Sequence, residues 1–136
     1  GGALYYGLRA DLAIPQVATQ DIGKVAAKLL VEGAPKTATG PGNAPVRIVQ
    51  LAGPVDLSLN DVAAAIGKLA GKPVKAVSVP LEAMKSALEG MHASPDVAAL
   101  YAEMAGAIND GRMNFTSTDI LRGTTTLEAK LAELHG

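Results

Sequence analysis

The chain contains no cysteine and no tryptophan, and only three tyrosines and one phenylalanine among its 136 residues. Without cysteine there are no disulfides, no thiolate nucleophile, no cysteine-held zinc and little route to iron–sulfur chemistry, and nothing reports the redox compartment. Long apolar runs are missing as well. No stretch approaches the roughly 20 residues needed to cross a bilayer, and no basic segment precedes an apolar one at the N-terminus. The chain therefore reads as soluble, with the cytoplasm as the default location. Neither sign of charge dominates: 12 Lys and Arg stand against 13 Asp and Glu, a net charge of -1, with no long run of either. No field exists to gather a polyanion, so neither nucleic acid nor an acidic membrane surface is expected as a partner.

What the chain does have is apolar mass and turn residues, with 49% hydrophobic positions, 15 Gly and 8 Pro. That is enough for one ordinary domain over residues 1–136. Leu4-Tyr5-Tyr6-Gly7-Leu8 reads as a short strand. Ile14 to Ala18 is an apolar run broken by Pro15, which suits an edge strand, where a missing N–H is tolerated. Thr19 and Asp21 open a helix whose apolar positions, Ile22, Val25, Ala26, Leu29 and Leu30, follow the spacing of an amphipathic stripe, and Gly33 and Pro35 stop it. From Gly33 to Pro45 the residues are Gly, Pro, Ala, Thr and Asn almost throughout, a surface loop. Arg47 to Leu51 is a β-branched run and a further strand.

Ser58 stands three residues before Asp61, a capping-box arrangement, and the helix it opens carries Val62, Ala63, Ile66, Leu69 and Ala70, with Gly71 as its left-handed exit. Val74 to Val79 is the next strand, and Leu81 to about Met91 the next helix. Ser94-Pro95-Asp96 is a strong helix start: a hydroxyl cap, proline in the first turn and an acid at the positive end of the dipole. Val97, Leu100, Tyr101, Met104 and Ile108 form that helix's stripe, expected to face the core. Thr125 and Glu128 form a capping box for a last helix bearing Leu127, Leu131 and Leu134. Alternation of this kind predicts an α/β fold, a small, partly parallel sheet with packed helices.

Traces of catalytic chemistry are few. His92 and His135 are far apart and neither has a ligand-like partner three or four residues on, so no metal site is expected. Gly40-Pro41-Gly42 begins like a phosphate-binding loop, but Pro45 stands where a third glycine belongs and no helix follows. Glu82, Glu89, Asp96, Glu103 and Asp110 recur at about a helical period, as a solvated helix face does. No catalytic residue is assigned. Tyr5 and Tyr6 stand apart because one of two adjacent strand residues must face away from the core, where a hydroxyl-bearing ring can line a pocket. Met84, Met91 and Met104, with Tyr101 nearby, read as core, and as an adaptable apolar ligand surface in second place. Asp21 reads as a structural first-turn acid.

Three stretches together resemble a known family: Ile14-Pro15-Gln16-Val17-Ala18-Thr19-Gln20-Asp21-Ile22-Gly23 running into Val25-Ala26-Ala27, Leu51-Ala52-Gly53-Pro54 followed by Leu57-Ser58-Leu59-Asn60-Asp61-Val62-Ala63, and Gly123-Thr124-Thr125-Thr126-Leu127-Glu128. They resemble the C-terminal half of NmrA-like proteins, atypical short-chain dehydrogenase/reductases that include NAD(P)H-dependent quinone reductases and redox-sensing regulators. The resemblance implies the substrate-side part of a Rossmann protein, with NAD(P) bound in the full-length parent through a glycine-rich turn that this chain lacks, so that the chain alone is expected neither to bind the cofactor nor to be active. A Tyr-x-x-x-Lys pair is also missing: Tyr5, Tyr6 and Tyr101 are followed four places on by Arg9, Ala10 and Ala105. The start at Gly1-Gly2-Ala3 without a methionine fits a piece of a longer protein.

In the family the segment matching Ile14 to Asp21 passes the nicotinamide end of the site, and the strand matching Ala3 to Leu8 borders the substrate cleft. The resemblance thus implies Tyr5, Tyr6, Pro15 and Val17 as substrate-binding residues, with Met91 and Tyr101 from the helical cover. Hydride transfer needs no protein nucleophile, because the cofactor carries the chemistry and the protein orients it. The expected function is the substrate-binding portion of an NAD(P)H-dependent oxidoreductase acting on quinones or related carbonyl compounds. Two alternatives stand beside it: a non-catalytic, dinucleotide-sensing regulator, and an interaction module that forms a homodimer or joins a separate N-terminal half.

Overall fold

The computed structural model describes residues 2–35, 46–116 and 119–135, with residue 135 described by its backbone alone. The expected phosphate-loop imitation at Gly40-Pro41-Gly42 lies outside the described residues. In chain order the elements are β1 (Gly2–Tyr6), β2 (Ile14–Pro15), α1 (Thr19–Glu32), β3 (Gln50–Ala52), β4 (Asp56–Leu57), α2 (Leu59–Ala70), β5 (Val74–Ser78), α3 (Leu81–Gly90), α4 (Pro95–Asn109), β6 (Ile120–Arg122) and α5 (Leu127–His135). The α/β expectation holds, and the described strands lie in separate pairs rather than one sheet. The chain divides into two compact units: Gly1–Ile14 with Leu57–Asn114, and Pro15–Asp56 with Phe115–Gly136.

In the first unit β1 and β5 run parallel, in register from Gly2 opposite Val74 to Tyr6 opposite Ser78. A parallel pair needs a crossover, and α2 supplies one, packing on β5 and β1. Its start is the capping box foreseen: the Asp61 N–H donates to the Ser58 hydroxyl at 3.2 Å, and the Ser58 N–H donates to the Asp61 carboxylate at 2.8 Å. Its end is Gly71, left-handed at φ 63°. The core is apolar: Leu8, Met84 and Ala105 are buried, with Ile14, Leu59, Val79, Leu81, Leu88, Ala102 and Ile108 packed around them.

The helix pair α3 and α4 corrects the expected stripe. Ala98 and Ala105, together with Ala102, turn inward, while Val97, Leu100, Tyr101 and Met104 stay exposed. The small side chains allow the two helices to approach closely, so the larger ones cannot occupy the same face. Of the methionines read as core, only Met84 is; Met104 is exposed, and Met91, just past the end of α3, is 68% exposed.

The second unit pairs β3 with β6, also parallel, from Gln50 opposite Ile120 to Ala52 opposite Arg122. The expected strand at Arg47 to Leu51 thus begins three residues later. Arg47 is instead taken up by ion pairs with Asp119 at 2.7 Å and Glu32 at 3.7 Å. Helix α1 starts at Thr19 with no side-chain cap, because the N-cap position is Ala18, which has no polar side chain, and the first-turn acid Asp21 turns to other partners. Asp21 is 2% exposed. Its carboxylate accepts the N–H groups of Thr124 at 2.9 Å and Thr125 at 2.8 Å, the Thr125 hydroxyl at 2.9 Å, and the Lys24 ammonium at 3.4 Å.

That clamp explains two local features. A Cβ on Gly123 would sit 2.9 Å from the Cβ of Asp21, so only glycine fits beside it. The Thr125 hydroxyl, spent on Asp21, cannot cap α5; Thr126 does so, accepting the Ala129 N–H at 3.2 Å. The expected capping box at Thr125 and Glu128 is therefore replaced by a single hydroxyl cap one residue on, at Thr126. No helix among the described residues is long and apolar enough to cross a membrane.

Candidate functional site

In parallel α/β sheets, ligands collect beyond the carboxyl ends of the strands, where the loops are free to vary. In the first unit those ends are Tyr6 and Ser78, directly opposite each other in the register. Tyr5 is 65% exposed and Tyr6 39%, so both rings of the sparse aromatic set meet solvent at this end of the pair. The loop that follows is firmly held. The Asn109 side chain accepts the Arg9 N–H at 2.8 Å and donates to the Gly7 carbonyl at 2.9 Å. Ser78 does the same one step on, accepting the Ala10 N–H at 2.9 Å and donating its hydroxyl to the Leu8 carbonyl at 2.8 Å.

Two polar side chains from α4 and β5 thus fix Gly7 to Ala10 and place the tyrosines at the mouth of a rigid turn. Sequence reading missed both Asn109 and Ser78. Their partners lie 100 and 68 residues away, and no local pattern announces such bonds.

Of the other expected binding residues, Met91 and Tyr101 lie in the same unit, at the end of α3 and on α4, both exposed. A groove of about 510 Å³ between these helices is lined by Leu81, Lys85, Ala102, Glu103 and Gly106 among others, and by none of the expected binding residues. Pro15 and Val17 belong to the second unit and are described there: Pro15 ends β2, and Val17 lies in the irregular segment before α1. No cluster of His, Asp or Glu able to hold a metal ion occurs among the described residues.

A dinucleotide needs somewhere to put its pyrophosphate, and the usual place is a bare helix N-terminus after a strand. The helix starts here do not fit one. Each described helix carries an acid in its first turn: Asp21, Asp61, Glu82, Asp96 and Glu128. In α2 that acid is Asp61, whose carboxyl the Ser58 hydroxyl and N–H hold below the ordinary carboxylate range, so it is charged where a phosphate would sit. At α3 the turn from β5 passes through Pro80, which has no N–H to offer. After β1 the Arg9 and Ala10 N–H groups already belong to Asn109 and Ser78.

Asp21 is likewise ionised, its carboxyl held below the usual range first by the Thr125 N–H, against the opposing effect of burial, and further by the Thr125 hydroxyl, Lys24 and the Thr124 N–H. It is a clamp between α1 and the β6–α5 turn, which extends the structural role expected of it. A buried carboxylate with this many donors has no capacity left for a proton relay.

No protein-family model matches the chain, and no curated protein does. Solved structures do match. The NADPH-dependent quinone oxidoreductase of Escherichia coli superposes with a TM-score of 0.68 at 20% identity over 99% of this chain and 47% of that one. Its complex with NADPH gives 0.70 at 20% identity over 98% and 45%. The triphenylmethane reductase of Citrobacter sp., complexed with NADP(H), gives 0.65 at 20% identity over 97% and 44%. The chain spans slightly less than half the length of these reductases, and over that span it takes their fold.

Proposed function

We propose that this chain is the substrate-side portion of an NAD(P)H-dependent oxidoreductase of the NmrA-like group, acting on quinones or related carbonyl compounds, with the dinucleotide held by a part of the protein outside these residues. The observation that carries the reading is the fold shared, over nearly the whole chain, with NADPH-dependent quinone and triphenylmethane reductases. The acids at the helix starts agree with it, since they leave no welcome for a pyrophosphate here. Tyr5 and Tyr6 supply flat, partly apolar faces with a hydroxyl each, suited to stacking on a planar quinone and donating to its carbonyl.

The test is a titration of the chain with menadione, a small planar naphthoquinone, followed through the ring resonances of the tyrosines. Shifts confined to Tyr5 and Tyr6 are expected, and replacing both by alanine should weaken binding about tenfold. No binding up to the solubility limit would refute the reading, and unchanged affinity in the double variant would remove the tyrosines from the site.

A further inference from the structure

Around α4 three faces follow one another. Ala98, Ala102 and Ala105 face the core. Beside them runs an exposed stripe of Val97, Leu100, Tyr101 and Met104, at spacing i, i+3, i+4 and i+7, with Leu100 63% exposed. Beyond the stripe, toward the groove shared with α3, comes a row of acids one every seven residues: Asp96, Glu103 and Asp110. No Lys or Arg occurs between Pro95 and Asn109. Arg112 takes up Asp110 at 3.1 Å, and no ion pair to Asp96 or Glu103 forms among the described residues.

An apolar stripe of one helix, uncovered over two turns, has the width of a helix-in-groove contact. The charges decide what covers it. Two copies of α4 meeting antiparallel, Val97 opposite Met104, would bring Glu103 of one toward Asp96 of the other and set like charges beside the contact, which disfavours self-association. A parallel pair would lay the acids against the partner's apolar side chains, which costs desolvation with no return. We propose that the α4 stripe docks an amphipathic helix of another protein, one with apolar residues at i, i+3, i+4 and i+7 and with Lys or Arg along one flank. This assigns Tyr101 to the protein contact, and it stands whether or not the chain handles quinones.

The probe is a pair of synthetic 18-residue helices with leucine at those positions, flanked in one by lysine and in the other by glutamate, titrated into the 136-residue chain and read by fluorescence anisotropy. The lysine peptide is expected to bind about tenfold more tightly than the glutamate peptide at low salt, with the margin shrinking as salt is added. Asp96→Lys combined with Glu103→Lys should reverse the preference. Leu100→Asp should abolish binding of either peptide with the helical circular dichroism unchanged, since this side chain is exposed. Failure of the lysine peptide to bind would overturn the proposal, as would equal binding of both. A chain that sediments as a dimer and becomes monomeric with Leu100→Asp would overturn it in favour of a second copy.

Discussion

Each of the two units is stabilised internally by a different kind of interaction. The first closes on apolar side chains, Leu8, Met84 and Ala105 with their neighbours. In the second, the largest fully buried side chain is a carboxylate, Asp21, and the strands β3 and β6 are fastened by charge: Arg122 donates to the Gly53 carbonyl and the Asp56 carboxylate at 2.9 Å each, and Arg47 pairs with Asp119 at 2.7 Å. Burial of apolar area is insensitive to pH and tolerates small shifts. A buried carboxylate with several donors is specific, and it fails abruptly when one partner is lost. The unit carrying Tyr5 and Tyr6 is the apolar one, so its rigid loop rests on the sturdier foundation.

The largest effect should come from Asp21→Ala, which strands the Thr124 and Thr125 N–H groups. By denaturant unfolding read at those amides it should cost about 4–5 kcal/mol. The same clamp should be acid-labile. Because the folded carboxyl titrates below its unfolded range, its contribution is complete above about pH 4 to 5 and is lost as pH falls through the folded value. The Thr125 amide resonance should therefore move at low pH ahead of the Met84 methyl. Next comes Met84→Ala, which opens a cavity in the first unit and should cost about 2–4 kcal/mol by denaturant unfolding. If either substitution disturbs both sets of probes equally, the contrast between the units is wrong.

Smaller effects sharpen the picture within the first unit. Ser58→Ala removes one half of the α2 capping box and should cost about 1 kcal/mol, again by denaturant unfolding. The smallest is a gain. His92 adopts φ 68°, a left-handed conformation that disfavours side chains, so His92→Gly should stabilise by up to about 1 kcal/mol. A loss there would mean that the imidazole makes a contact worth more than the backbone strain.

Local rules made much of this fold legible. Ser58 with Asp61, Gly71, and Ser94-Pro95-Asp96 each announce a helix boundary that the structure respects, because caps act over three or four residues. The α4 stripe departs from the expected burial because periodicity finds apolar faces without saying which one a neighbour prefers. Alanines at Ala98 and Ala105 allow closer packing against α3 than Leu100 and Tyr101 would. The Asp21 clamp is half legible: the acid is visible at a helix start with Lys24 three residues on, but its threonine partners are more than 100 residues away. At the candidate site the tyrosines stand out through scarcity, whereas Asn109 and Ser78 carry no sequence signal at all.

The central claim, a substrate-side unit whose helix starts repel a dinucleotide, is tested most directly by calorimetric titration of the chain with NADPH and then NADH. The account predicts no measurable heat from either. Micromolar binding would contradict it, since the pyrophosphate would then have found a seat among acids that should turn it away.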